Sequence, residues 1–172
     1  MMNITATTLE DYLVSEGVII YKVVGKSMEP MIRQNRDLVT IIKREPDVKC
    51  SENDVVLFKK NGHLVLHRIV SVLPNNRYNI LGDNCAKIEK NIKEEDIIGI
   101  MTAFYRDGVH YDMSNSVYIN YVNRLRKNEM MRVRRKRRYD MIVHLFYFFP
   151  DCILEYIKII ARKITNCQLK FE

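Results

Sequence analysis

Between residues 18 and 105 one pattern repeats: a short run of β-branched or aromatic residues, then a polar turn. The runs are VIIYKVV (18–24), LVTII (38–42), VVLF (55–58), LVLHRIV (64–70), RYNIL (77–81) and IIGIMTAFY (97–105). The turns between them include QNRD, SEND, KKNGH, LPNN and GDN. Short strands at this spacing predict a mostly antiparallel, coiled or barrel-like β domain over 18–111. In front of it, TLEDYLVSE (8–16) predicts a short helix within 1–17, with Thr7 or Thr8 as N-cap, Leu9 and Leu13 on one face, and Gly17 ending it.

After about Asp112 the period changes. SVYINYVNRLRKNEMMRVRRKRRY (116–139) has helical spacing, with Val117, Tyr121, Leu125 and Met131 near one face. MIVHLFYFF (141–149) is mostly apolar and is halted by Pro150-Asp151. CILEYIKIIARKI (152–164) puts Ile153, Ile157, Ile160 and Ile164 on one stripe. Residues 112–172 are therefore expected to form a second unit, a helical, basic and amphipathic extension. The fold class expected is mainly β with an α-helical C-terminal extension, and 172 residues leave room for one core of ordinary size plus such an appendage.

The net charge of +7 suggests a nucleic-acid binder until it is located. Residues 124–140 hold nine Lys or Arg against two acids, so everything outside that run is formally neutral. Three readings follow: a solvated helix face, a nucleic-acid contact, or an anionic lipid surface. Nucleic acid is disfavoured, since no readable motif or interleaved stacking aromatics accompany the run. Lipid is preferred, because an apolar run follows the bases at once.

Cys50, Cys85, Cys152 and Cys167 are irregularly spaced without a C-x-x-C pair, which speaks against a zinc knuckle and for reduced thiols. No metal or organic cofactor is implied. No signal peptide and no stretch of about 20 apolar residues is visible, so a cytoplasmic or peripheral membrane location is expected.

Chemistry could sit at GKSMEPMI (25–32), where Ser27 is placed near a strand end before a turn at Pro30. A serine is a poor nucleophile unless a base takes its proton. Among four histidines, His67 lies on the run LVLHRIV, sharing a face with Val65 and Ile69. On periodicity alone it is either a satisfied core histidine or a base. The loop ILGDNCAKIEK (80–90) reads as a hairpin turn built on Gly82, Asp83 and Asn84, or as the source of an acid, Asp83 or Glu89, that orients His67.

SMEP (27–30), LHRIV (66–70) and GDN (82–84), in this order, resemble the three boxes of the signal peptidase I / LexA-type serine peptidase superfamily. NDVVLF (53–58) is similar to the strand before the base, and the resemblance spans about 23–104. Histidine in HRIV is similar to the Ser-His branch, the endoplasmic-reticulum and archaeal type. The resemblance implies Ser27 as nucleophile, His67 as general base, Asp83 as the aspartate of the Gly-Asp-Asn box, and Glu89 near the position of the branch's further acid, where the family has aspartate. Gly25-Lys26 replaces the Ser-Gly of signal peptidases, so oxyanion donors would be backbone N–H groups, including that of Ser27. Only 26 residues precede Ser27, so neither an N-terminal membrane anchor nor a repressor's DNA-binding domain is expected.

The expectation is a small serine endopeptidase with a Ser-His dyad or Ser-His-acid triad, cleaving an extended peptide. Its rival is an inactive binding or scaffold module of the same fold, docked at a membrane. Residues 124–164 are expected to bind anionic membranes peripherally, and a chain ending near Asp112 to stay soluble.

Overall fold

The structure is a computed structural model that describes residues 6–165 and 171. Its elements are α1 (Ala6–Glu16), β1 (Val18–Lys22), β2 (Leu38–Lys43), β3 (Val55–Lys60), β4 (His63–Leu73), β5 (Arg77–Leu81), β6 (Glu89–Lys93), β7 (Ile97–Arg106), β8 (Val109–Asp112), α2 (Ser116–Lys127), α3 (Glu129–Leu145) and α4 (Asp151–Thr165). The architecture is mainly β with a helical C-terminal region, as the strand and helix periods predict.

All strand pairs are antiparallel, in the order β1-β2-β7-β3-β4-β5-β6 with β8 on β7. β7 is the hub. Residues 99–105 pair with β2 along one edge, while 97–100 pair with β3 and 103–106 with β8 along the other. β3 and β8 share one edge of β7 by taking successive segments of it, and register shifts at Thr40/Ile41, Leu57/Phe58, Ile69/Ser71 and Tyr78/Ile80 are places where the ladders can bend and twist.

Two strands escape the sequence pattern. β6 reads EKNIK and β8 reads VHYD, both too polar to stand out. β6 pairs only along one edge and β8 is four residues long, so neither needs the apolar alternation of a covered strand.

The sheet's two faces carry two apolar clusters. The larger joins Leu13 of α1, Met28, Met31, Ile32, Val39, Ile41, Leu57 and Phe104; the smaller joins Val56, Phe58, Ile69, Tyr78 and Ile80. α1 lies so close that a Cβ on Gly99 would sit 2.6 Å from Ile41 and 3.1 Å from Leu13.

α2 is capped by Asn115, whose side chain accepts the Val117 N–H at 2.9 Å. Its buried residues are Tyr118, Tyr121, Val122 and Leu125. Val117 and Met131 are exposed, while Tyr121 and Leu125 are buried as expected and Tyr118 and Val122 complete the face. These four side chains belong to the larger β cluster, and Phe171 returns to join them, packed on Phe104, Tyr111 and Tyr121. The boundary drawn near residue 112 therefore does not separate two cores. Only α3 and α4, which pack on each other, have the character of an appendage.

Fully burying one large apolar side chain contributes roughly 1.5–3 kcal/mol, so losing the α2 face rivals a domain's net stability of about 5–15 kcal/mol. Against the sequence-based expectation, a chain ending at Asp112 is expected to lose cooperative thermal unfolding and native near-UV circular dichroism. A retained sharp transition would show that the sheet is stable without α2.

Candidate active site

Ser27 does not sit at a strand end. β1 stops at Lys22, and residues 25–32 form a turn in which the Ile32 N–H reaches the Met28 carbonyl at 2.9 Å. Met28, Met31 and Ile32 are buried and pin this turn to the core, while Ser27 stays half-buried. From behind, the Arg106 guanidinium donates to the Pro30 and Met31 carbonyls and pairs with Asp37 at 2.8 Å. Burial pushes the Asp37 carboxyl up, but hydrogen bonds from Arg106 and Arg33 outweigh it and hold the group below the usual carboxylate range.

His67 is mid-strand on β4, opposite Val56 and 6 % exposed, with its ring 6.0 Å from that of Phe58. Alternation along β4 sends His67 and Arg68 to opposite faces. This decides where the Gly-Asp-Asn segment can act. The Asp83 carboxylate accepts from Arg68 Nε at 2.9 Å and Nη2 at 2.8 Å, and from the Tyr121 hydroxyl at 3.0 Å. Asp83 is thus committed to the face of Arg68, and none of its hydrogen bonds reaches His67. Asp83 was expected to orient His67; its carboxylate is instead spent on Arg68 and Tyr121, and both of its oxygens are occupied there.

Glu89 opens β6 opposite Ile80 and is ion-paired with Lys60. It makes no hydrogen bond to His67 either. Burial is the largest influence on His67 and lowers its pKa below 6.5; Glu89 and then Asp83 oppose this, and Lys60 adds to it. Of the two acids, Glu89 therefore has the larger electrostatic effect on the ring. His67 Nδ1 is buried without a hydrogen-bond partner.

The candidate residues converge at Gly82. A Cβ there would lie 2.7 Å from Cys85 Sγ, 2.8 Å from the Ser27 carbonyl oxygen and 2.9 Å from His67 Nε2. No side chain fits between the loop, the serine turn and the histidine, which is the reason for glycine. Asn84, two residues on, clamps the turn: its N–H donates to the Ser27 carbonyl at 2.7 Å and its Nδ2 to the Lys26 carbonyl at 3.0 Å. His67 Nε2 faces Cys85 Sγ at 4.0 Å, and no hydrogen bond joins the Ser27 hydroxyl to the ring in this conformation. Catalytic hydrogen bonds are often long before substrate binds, so this spacing does not disqualify the pair. Burial pushes the Cys85 thiol up, while Lys136 and Arg132 pull the other way.

Three residues of the site carry no sequence signal that points to it: Cys85 reads as a reduced thiol, and Tyr121 and Arg132 as helix residues. Arg68 stands inside the LHRIV box, but its pairing with Asp83 does not show there. Cys50, Cys85 and Cys152 are free thiols, as their spacing predicts, and Cys167 lies outside the described residues. Among the described residues no cluster of His, Cys, Asp and Glu could hold a metal ion.

A coiled antiparallel sheet that brings a turn serine, a strand histidine and a Gly-Asp-Asn loop to one point is a serine-peptidase-like fold. The chain belongs to the Peptidase S24-like family, whose model matches residues 3–102, and so to the LexA/signal-peptidase superfamily of serine peptidases. A search among curated proteins found no match. β8 and the three helices after it lie beyond the matched segment.

Breaking a buried ion pair by neutralising one partner costs about 3–5 kcal/mol. Asp83→Asn is expected to lose that much in urea unfolding, because Arg68 stays buried without its counter-charge. A loss under about 1 kcal/mol, typical of a surface position, would mean that the pair is not a structural anchor.

Proposed function

We propose that the protein is a serine endopeptidase of signal-peptidase-like type, with Ser27 as nucleophile and His67 as general base. The observation that carries this is the convergence of the Ser27 main chain and His67 Nε2 on Gly82. Ser27 Oγ attacks the carbonyl of an extended peptide while Nε2 accepts its proton. The imidazolium then protonates the leaving amine, and water hydrolyses the acyl-enzyme. Backbone N–H groups at the serine turn, that of Ser27 included, would receive the oxyanion. Small side chains near the scissile bond and a Ser-His-branch specificity belong to the same proposal.

For the acid, the geometry favours a working dyad with Glu89 acting through its charge, and Asp83 holding the loop. The orphaned Nδ1 supports a dyad over a hydrogen-bonded triad. The same orphan, with the missing Ser27–His67 bond, is what favours the rival, an inactive module of this fold.

Labelling by a fluorophosphonate probe separates the two. Ser27→Ala and His67→Ala should each reduce labelling and peptide turnover by several orders of magnitude, and the double variant little further. Because burial lowers the His67 pKa, the neutral base persists into mild acid, and the acid limb of labelling should have its midpoint below 6.5. Glu89→Gln removes the largest opposing influence and should move that midpoint lower still. Wild-type protein that is not labelled at any pH would establish the inactive module.

The helical hairpin of α3 and α4 is proposed as a peripheral membrane contact. No helix among the described residues is long and apolar enough to cross a bilayer. α3 ends at Leu145, and the turn after it exposes Tyr147, Phe149 and above all Phe148, which is 95 % exposed. α4 packs through Leu154, Ala161 and Thr165, leaving Ile153, Tyr156, Ile160 and Ile164 on an exposed stripe. Exposed Arg134 and Arg138 on α3 supply the opposite charge for anionic headgroups, about 1 kcal/mol each near the surface. Binding to vesicles of phosphatidylserine and phosphatidylcholine should weaken sharply with salt and drop with Phe148→Asp. Bound protein that resists high salt and alkaline carbonate would contradict a peripheral contact.

A further inference from the structure

The Gly-Asp-Asn loop has three holders, and two have been described: Arg68 with Tyr121 on the Asp83 carboxylate, and Asn84 on the serine turn. The third comes from α3. Arg132 Nη1 donates to the Asp83 carbonyl and, at 3.4 Å, to the Gly82 carbonyl. The Asp83 carbonyl shares its peptide group with the Asn84 N–H, which donates to the Ser27 carbonyl at 2.7 Å.

The placement of Arg132 follows from a local break. Asn128, with φ −116° and ψ 12°, ends α2 and redirects the chain into α3. Arg132 is the first residue of α3 whose N–H closes a full turn, onto the Asn128 carbonyl at 2.8 Å, and it precedes buried Val133. Its Nε is buried without a partner. Leaving a buried donor unmade costs about 1–3 kcal/mol. A guanidinium that needed only solvation would have turned outward, as the exposed neighbour Arg134 does. Its position is therefore held by the two carbonyls.

We propose that Arg132 is a positioning residue for the active site: it fixes the 82–83 backbone so that Asn84 and Gly82 hold the Ser27 turn against His67. The link is short. Arg132 grips the peptide plane on which Gly82 packs directly against Ser27 and His67, with no side chain to absorb a shift. α3 thereby acts as part of the catalytic apparatus although it lies beyond residues 3–102, the segment shared with the family. The kinetic part rests on the peptidase function proposed above; the structural part does not.

The test compares wild type, Arg132→Met and Arg132→Lys by fluorophosphonate labelling over a range of probe concentrations, by amide hydrogen exchange over 82–86, and by melting temperature. A misplacement of this order slows chemistry by about tenfold to a hundredfold. Arg132→Met should therefore lower the maximal labelling rate by that factor, leave the half-saturating probe concentration nearly unchanged, and speed exchange at the Asn84 amide. Arg132→Lys, which can reach one carbonyl, should fall between. If Arg132→Met does not fold, Arg132→Lys carries the same comparison. A variant that folds, labels at the wild-type rate and keeps Asn84 protected overturns the proposal, as does a rate loss that only follows the fraction unfolded. Wild type that resists the probe overturns the peptidase function alone, and exchange at Asn84 then decides the role of Arg132.

Discussion

The ion pair between Arg68 and Asp83 is the constraint around which the molecule is arranged. Arg68 follows His67 on β4, and Asp83 follows Gly82 in the loop, so one bidentate contact fixes the histidine strand and the loop to each other. Removing two charges from water is costly, and the pair persists only with its remaining bonding capacity filled. Arg68 fills it with the Asn53 carbonyl, the Tyr118 hydroxyl and Met31; Asp83 fills it with the Tyr121 hydroxyl. These partners come from three stretches of chain: Asn53 before β3, Met31 in the serine turn, and Tyr118 and Tyr121 on α2. The pair thus ties α2, the serine turn and the turn before β3 to the centre.

A second pair repeats the device on the other side. Asp37 and Arg106 are buried together, and Arg106 spends its remaining donors on the carbonyls of the serine turn. Phe171 lies under the same guanidinium, 4.7 Å away. The nucleophile candidate is thereby supported from β7, the hub strand, and the base candidate from β4. A fixed spacing between a turn serine and a strand histidine follows from these anchors rather than from any direct bond between Ser27 and His67.

The helical region divides into two roles. α2 completes the main core, while α3 and α4 leave a broad apolar and cationic surface unpaired. α3 faces both ways, since Arg132 and Arg137 reach the 82–86 loop and Arg134 and Arg138 face outward. A contact made by the hairpin's outer side lies one helix diameter from the loop that holds the site.

Most of the sheet was legible because covered strands need β-branched and aromatic residues in alternation, and turns need Asn, Gly and Asp. All six runs read from the sequence became strands. β6 and β8 were not legible, since strands paired at margins tolerate EKNIK and VHYD. Ser27, His67 and the Gly-Asp-Asn loop were visible as motifs, and the structure brings them together. The role of Asp83 was not visible. Sequence order puts it equally within reach of His67 and Arg68, and only the pleat of β4, which turns adjacent side chains to opposite faces, assigns it to Arg68. The same holds for α2: its period was plain, but whether its apolar face covers the sheet or stands apart depends on packing against residues distant in the chain, from Leu13 to Phe104. Local chemistry thus determined the elements and the reactive residue types. Which groups meet was decided by tertiary structure, because a buried charge or aromatic takes whichever partner the fold brings within a few ångströms.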